Sequence, residues 1–170
     1  MPVYEYRCNE CGKLSELLVG ISPGSDILKC NYCGSSDLEM ILSEKVIERV
    51  FNPRYLGEME NSQACAEVTG PCGDTVKVFL RIQDNKITDA RFITDGCVTT
   101  VAASSMACEL AIGKSIKEAF KISQEVILEN LGGLPEESIH CALLASNTLK
   151  AALTDCLTSE KEPWRRVYKR

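Results

Sequence analysis

At 170 residues the chain has room for one ordinary domain or two small ones, and 45% apolar residues are enough to bury a core, which excludes wholesale disorder. A formal net charge of -5, from 19 Lys+Arg against 24 Asp+Glu, argues against binding nucleic acid by phosphate neutralisation. No apolar stretch approaches the roughly 18 residues that span a bilayer, and the opening MPVYEYRCNEC has no apolar signal region. A cytoplasmic protein without a membrane partner is therefore expected. The outlier is cysteine, ten residues against a single histidine. In a reducing compartment, cysteines at motif spacing point to metal or sulfur chemistry rather than disulfides.

In chain order, the first block runs to about Leu42 and consists of short alternating runs at Val3–Tyr6, Leu14–Val19 and Leu38–Leu42. The turn-rich segment Ser22-Pro23-Gly24-Ser25-Asp26 separates the last two, as hairpin connections require. So small a piece needs a staple in addition to apolar burial. A helix is expected next, with Ser43 as cap, Glu44 in its first turn and an apolar face of Val46, Ile47, Val50 and Phe51; Asn52-Pro53 ends it. A loop of small and polar residues follows, through Cys65 to Gly73.

Thr75 to Gln83 alternates cleanly, with Val76, Val78, Leu80 and Ile82 on one face and Lys77, Phe79 and Arg81 on the other. Asp84-Asn85 turns the chain, and Ile87 to Thr94 returns as the second strand of a hairpin. Helices are expected at about 98–111, 115–120, 123–130 and 139–157. Strands first and helices afterwards is an α+β order. The tail from Lys161 to Arg170 is basic and holds Trp164, read as a packing anchor in a solvated terminus.

The ten cysteines fall into two sets. Cys8-Asn9-Glu10-Cys11-Gly12 and Cys30-Asn31-Tyr32-Cys33-Gly34 are one five-residue unit used twice, at a spacing usual for a two-knuckle zinc site. Two thiolates per tight turn supply half a tetrahedron, and the glycine accepts the left-handed backbone that the turn needs. Cys8, Cys11, Cys30 and Cys33 are therefore expected to hold a structural zinc, although the same thiolate shell suits iron. The opening sequence with its second knuckle resembles small zinc ribbons of the FmdB type over residues 1–42, which implies a fold and a metal but no activity.

Periodicity sorts the other six. Cys108 lies on the stripe Val98, Val101, Ser105, Cys108, Ile112, and Cys156 continues Ala142, Ser146, Leu149, Leu153; both read as buried small hydrophobes. Cys65 receives no role. Cys72 sits in the tight loop Gly70-Pro71-Cys72-Gly73-Asp74, Cys97 where the second hairpin strand gives way to a helix, and Cys141 after His140 in the first turn of the last helix. A helix N-terminus lowers a thiol's pKa, which places Cys97 and Cys141 as nucleophiles or ligands. Spacing alone leaves open both a shared site of Cys72, Asp74, Cys97, His140 and Cys141 and a core histidine beside a core cysteine.

Ser43-Glu44-Lys45-Val46-Ile47-Glu48-Arg49, Asn52-Pro53-Arg54, Gly70-Pro71-Cys72-Gly73-Asp74, Asp89-Ala90-Arg91-Phe92, Gly96-Cys97 and His140-Cys141 occur in that order. Over about Ser43 to Leu157 the chain resembles the IscU and NifU N-terminal iron–sulfur cluster assembly scaffolds. The resemblance implies an IscU-like antiparallel sheet with helices packed on it, here preceded by the all-β ribbon, so that 1–42 and 43–170 form two domains. It implies Cys72, Cys97 and Cys141 as cluster-ligating thiolates, Asp74 as a ligand to zinc or a control on cluster lability, and His140 as an alternative ligand. It further implies Cys141 as acceptor of persulfide sulfur from a cysteine desulfurase. A transient [2Fe–2S] cluster would be built and passed to apo iron–sulfur proteins, by a chain that is a scaffold and not an enzyme. A homodimer is left open.

Two departures from that family stand out. Leu134-Pro135-Glu136-Glu137-Ser138 replaces the usual Leu-Pro-Pro-Val-Lys docking segment, which speaks against an Hsp70-type chaperone partner. Val98-Thr99-Thr100 follows Cys97 where the scaffolds carry a run of Gly, Ser and Ala, so packing beside that ligand is expected to differ. Two other readings compete. One is a zinc-dependent sulfur relay of the SufU type, holding zinc at Cys72, Asp74, Cys97 and Cys141, against which His140 leans. The other is a DNA-binding regulator, which the acidic charge disfavours.

Overall fold

The computed structural model describes residues 3–18, 29–40 and 42–161. The turn at 22–26, the end of the second run, Ile41 in the third and the tail beyond Lys161, with Trp164, lie outside them. The chain divides into two compact units, Met1–Ser43 and Glu44–Arg170. Among the described residues no helix is long and apolar enough to cross a membrane.

The first unit is a three-stranded antiparallel sheet of β1 (Val3–Cys8), β2 (Leu14–Leu18) and β3 (Leu38–Met40), in the order β2-β1-β3. Its register sets Tyr6 against Ser15 and Cys8 against Leu38. Tyr6, Cys8, Ser15 and Cys30 are the residues seen buried there. So small an apolar interior cannot offset the entropy of ordering the chain by itself.

The second unit opens with α1 (Glu44–Phe51). Its buried face matches the one that periodicity predicts only in part: Val46 is buried and Ile47 and Val50 half-buried, but Phe51 is 63% exposed and Arg49 is buried. An ion pair explains this. The Arg49 guanidinium meets Glu109, Met106 Sδ at 3.8 Å and the Lys45 carbonyl at 3.4 Å, so its charge is compensated where it is desolvated.

The loop expected through Cys65 is in fact a strand, β4 (Ala64–Thr69). It pairs antiparallel with β5 (Thr75–Gln83), which pairs with β6 (Lys86–Thr94), giving the order β4-β5-β6. Alternation of Ala64, Ala66 and Val68 is a weak signal because alanine does not declare a face; burial against the last helix makes this segment a strand. The hairpin joining β5 to β6 turns at Asp84-Asn85, both with positive φ (50° and 62°), as a tight two-residue turn requires. Along β6, Phe92 also bonds the chain at Tyr55 and Gly57, so that segment covers the sheet edge.

The remaining elements are α2 (Val98–Ala111), α3 (Ile116–Ala119), α4 (Gln124–Leu131), a 3-10 turn at Glu136–Ser138 and α5 (Ile139–Lys161), close to the expected ranges. The expected inward face of β5, Val76, Val78, Leu80 and Ile82, is buried, and Phe79 on the opposite face is buried too. Helix α5 packs along β4 and β5, and α2 packs against β6, α5, α1 and α4. Phe92, Leu80, Ile87, Leu149 and Leu153 are fully buried, each contributing about 2–3 kcal/mol. Helix α2 is not the one-faced stripe expected from sequence. It is buried on nearly every side, apart from Val98 at its start, which is 51% exposed.

Candidate metal centres

In the first unit, β1 delivers Cys8 into a turn in which Gly12 N–H donates to the Cys8 carbonyl at 2.8 Å. The second knuckle repeats this: Gly34 N–H donates to the Cys30 carbonyl at 3.0 Å. The paired bonds from Cys8 N–H to Lys13 O and from Cys30 N–H to Ser35 O, at 3.0 and 2.8 Å, recur in register. Gly12 and Gly34 both have positive φ (68° and 75°), which a side chain would strain.

The two turns place the sulfurs of Cys8, Cys11, Cys30 and Cys33 within 4.8 Å of one another, with Cys8–Cys33 at 3.5 Å and Cys11–Cys30 at 3.6 Å. A tetrahedral zinc with bonds of about 2.3 Å sets its sulfurs about 3.8 Å apart, so this shell fits the metal. Charge supports the fit. Backbone N–H groups of Tyr32 and Cys33 pull the Cys30 thiol down to about 6. The backbone N–H of Ser35 favours the Cys33 thiolate, but burial and the Cys8, Cys11 and Cys30 sulfurs together push Cys33 up to about 12. Four thiols so close cannot all ionise alone; a divalent cation is the partner that lets them.

In the second unit, the β5–β6 hairpin sets Val76 against Thr94, and the same register carried two residues on brings Asp74 opposite Gly96. The strand ends are tied by Thr75 N–H to Asp95 Oδ1 at 2.7 Å and Thr94 Oγ1 to the Thr75 carbonyl at 2.6 Å. Asp74 Oδ2 then accepts from Cys97 N–H at 3.1 Å and from the Thr100 hydroxyl at 2.7 Å. No side chain fits at Gly96: a Cβ there would stand 2.7 Å from Asp74 Oδ2 and 2.9 Å from Thr100 Cβ. The Thr100 hydroxyl first, and then Cys97 N–H, hold the Asp74 carboxyl below the usual carboxylate range against the cost of burial.

Cys97 is the N-cap residue of α2, and Cys141 comes from the first turn of α5. Their sulfurs lie 3.9 Å apart, and with an Asp74 oxygen they form a set within 4.8 Å of one another. Two thiols and a carboxylate in such a set are a chemically sound partial shell for a metal ion, open on one side. The two thiols differ in character. Burial opposes ionisation of Cys97, yet the Thr100 and Thr99 hydroxyls and the Thr100 backbone N–H outweigh it and lower its pKa. Cys141, expected to be lowered by its helix terminus, is instead raised, because burial and the neighbouring Cys97 sulfur exceed what Thr100 and Thr99 return.

The other expected members stand nearby but outside that mutual set. Cys72 is exposed on the loop whose base is closed by Gly70 N–H to the Asp74 carbonyl at 2.8 Å, and its thiol gives the Asp74 carboxylate minor support. His140 is half-buried, with Nε2 3.6 Å from Cys141 Sγ. Cys108 and Cys156 are buried in the core; burial and the nearby Asp89 charge push the Cys108 thiol well up. Cys65 lies half-buried on β4. Sequence reasoning treated Thr99 and Thr100 only as a packing change. Their hydroxyls lie at 3.0 and 3.4 Å from Cys97 Sγ, and Thr99 Oγ1 lies 3.4 Å from Cys141 Sγ. Only the helix geometry at Cys97 exposes that role.

Residues 41–162 match the family model described as NifU-like N-terminal domain, and residues 1–42 match a zinc ribbon domain. The iron–sulfur cluster assembly scaffold protein IscU 1 of Archaeoglobus fulgidus is 42% identical over 114 residues, covering 66% of this chain and 74% of the relative. The scaffold protein IscU of Escherichia coli is 41% identical over 121 residues, covering 68% and 94%. A crystal structure of a putative iron–sulfur cluster assembly scaffold protein for the SUF system from Fervidobacterium islandicum superposes with a TM-score of 0.54 at 25% identity, covering 66% and 96%. The N-terminal part of a NifU-like protein from Brucella abortus shares the fold, with a TM-score of 0.53 at 21% identity over 68% and 94%. On the match over 41–162 and the identity to these scaffolds, the chain belongs to the NifU-like N-terminal domain family.

Proposed function

We propose that this protein is a scaffold on which an iron–sulfur cluster is assembled and then released to apo-proteins, in the cytoplasm, with a cysteine desulfurase as sulfur donor. The observation that carries the reading is the open set of Asp74, Cys97 and Cys141 at one end of the sheet, in a chain whose relatives are named as such scaffolds. Residues 43–170 form the scaffold domain, and 1–42 a ribbon in which zinc at Cys8, Cys11, Cys30 and Cys33 is structural. The cluster, a [2Fe–2S] unit, is cargo. Cys97 and Cys141 supply two thiolates and Cys72, on its exposed loop, the third; Asp74 or His140 completes the shell. A mixed shell open to solvent suits a cluster that must leave.

Sulfur arrives on Cys141. Its thiolate attacks the outer sulfur of the desulfurase persulfide, forming a Cys141 persulfide and returning the donor cysteine as thiolate. His140 Nε2, 3.6 Å away, is placed to take the Cys141 proton. The scaffold contributes ligands and position, with no turnover of its own. Glu136, exposed in the segment before His140, does not favour an Hsp70-type chaperone, and a homodimer is compatible with the reading.

The test is anaerobic reconstitution with a cysteine desulfurase, cysteine, a thiol reductant and ferrous iron, followed by visible absorption and metal analysis. Cluster absorption should appear with about one zinc per chain retained by the ribbon. Cys72→Ser, Cys97→Ser and Cys141→Ser should each abolish the stable cluster, while Cys108→Ser and Cys156→Ser keep it. Normal assembly in all three of the first group would sink the site assignment. The set of one carboxylate and two thiols also suits zinc, which favours a second reading as a sulfur relay. Two zinc ions per chain, no cluster and faster desulfurase turnover would select it.

A further inference from the structure

We propose that Thr99 is a positioning residue for the sulfur shell, its hydroxyl proton serving as a shared hydrogen bond to the Cys97 and Cys141 sulfurs as they carry cargo. This rests on the scaffold reading above and goes beyond it. Thr99 is 5% exposed, and its Oγ1 lies 3.0 Å from Cys97 Sγ and 3.4 Å from Cys141 Sγ. A hydroxyl has one proton to give. Thr100 Oγ1 also stands 3.4 Å from Cys97 Sγ, but its proton goes to the Asp74 carboxylate at 2.7 Å, the shorter and charge-assisted bond. His140 Nε2 reaches Cys141 alone. Both threonines thus approach both sulfurs, and Thr99 differs in that its hydroxyl proton has no carboxylate to serve.

The two threonines share the site unequally: the Thr100 hydroxyl also answers to the Asp74 carboxylate, whereas that of Thr99 answers to the sulfurs alone. A hydrogen bond to a metal-bound sulfur withdraws charge from it, which raises the reduction potential of a bound cluster, and by fixing the side chain's orientation the same bond slows that sulfur's departure from the shell. Because Thr99 touches both sulfurs, it keeps a bond to one while the other is exchanged or loaded. The residue is already in place on α2, one turn-start from its N-cap Cys97, so no rearrangement is needed.

The experiment compares the wild-type chain with Thr99→Val, Thr99→Ser and Thr99→Ala after the same anaerobic reconstitution. Two readouts are taken: the rate of cluster loss to a chelator, and the reduction potential of the cluster. The hydroxyl, not the shape, should rank the variants. Thr99→Val and Thr99→Ala should both lose cluster roughly fivefold faster, with the potential shifted negative, while Thr99→Ser stays within about twofold of wild type. Thr99→Ala covers the case in which the valine variant does not fold. Variants without a hydroxyl that match wild type in both readouts overturn the proposal, as does a serine variant that behaves like valine. A wild-type chain that assembles no cluster overturns the scaffold reading, and this inference falls with it.

Discussion

The two cysteine centres are built from the same atom type to opposite ends. In the ribbon, four sulfurs lie within 4.8 Å of one another, two of them buried, and the backbone around each pair repeats bond for bond. At the sheet end of the second unit, two sulfurs share their space with a carboxylate and two hydroxyls, and Cys72 stays exposed outside the set. In the proposed reading the ribbon centre stands in for a core, since Tyr6, Cys8, Ser15 and Cys30 are the buried side chains among the described residues of that unit. The second centre sits at one end of a fold that is already held by Phe92, Leu80, Leu149 and their neighbours. A thiolate shell that maintains a fold has to be closed and complete, whereas one that hands on its contents has to be open and chemically mixed.

The sharpest way to break this contrast is to remove a ligand from each side. Cys30→Ser should cost the first unit its metal and, with it, its fold, since zinc binding in such small domains is itself the folding free energy, about 10 kcal/mol or more. Zinc analysis and limited proteolysis should show residues 1–42 cut while the second unit stays resistant. A protease-resistant ribbon without metal would refute the staple role. Cys97→Ser should do the reverse, leaving both units folded in a thermal melt.

Gly96→Ala addresses the second centre through its backbone. The added Cβ meets the Asp74 carboxylate and Thr100 Cβ at under 3 Å, so the carboxylate or α2 must give way, at a cost of roughly 1–3 kcal/mol, and cluster assembly should fall with it. Denaturant unfolding beside reconstitution reads both; a neutral result would mean the close approach carries no constraint. Asp74→Ala tests the mixed shell itself. It removes an oxygen from the set and an acceptor from Cys97 N–H, so it should slow cluster loss to a chelator severalfold while lowering stability by about 1 kcal/mol. Unchanged or faster loss would argue against Asp74 as the element that keeps the shell labile.

The smallest effect concerns the metal-independent frame. Glu118 completes a capping box at the start of α3: its Oε2 accepts from Ser115 N–H at 2.9 Å and from the Ser115 hydroxyl, and the backbone bond first and the hydroxyl second lower its pKa. A lowered carboxyl contributes stability above its unfolded value, and that contribution is lost as pH falls through the folded pKa. The melting temperature of wild type should therefore exceed that of Glu118→Ala slightly at pH 7. The gap should close below the ordinary glutamate value of about 4.3. A gap that persists below both the unfolded and the folded pKa would assign the effect to contacts that the neutral side chain keeps.

Much of this was legible in the residues themselves. The repeated Cys-x-x-Cys-Gly units declare the ribbon because metal ligation depends on local spacing, and alternation from Thr75 to Gln83 declares a strand because its period is local too. The helix ranges, the two-residue turn at Asp84-Asn85 and the buried character of Cys108 and Cys156 follow from the same short-range rules.

Other features were settled only when the chain packed. The strand at Ala64–Thr69 exists because α5 lies on it, and small residues do not announce that partner in sequence. Arg49 can lie on the buried face of α1 because Glu109 and Met106, far along the chain, receive its guanidinium. Helix position alone puts Cys97 and Cys141 on an equal footing. Packing separates them, leaving Cys97 exposed among hydroxyl donors and burying Cys141, and desolvation outweighs a helix terminus. Sequence determined which groups the centre has to draw on, because residue chemistry is carried locally. Only the tertiary structure decided which of them meet, which proton each hydroxyl gives and how much water each sulfur keeps, because those depend on neighbours distant in the chain.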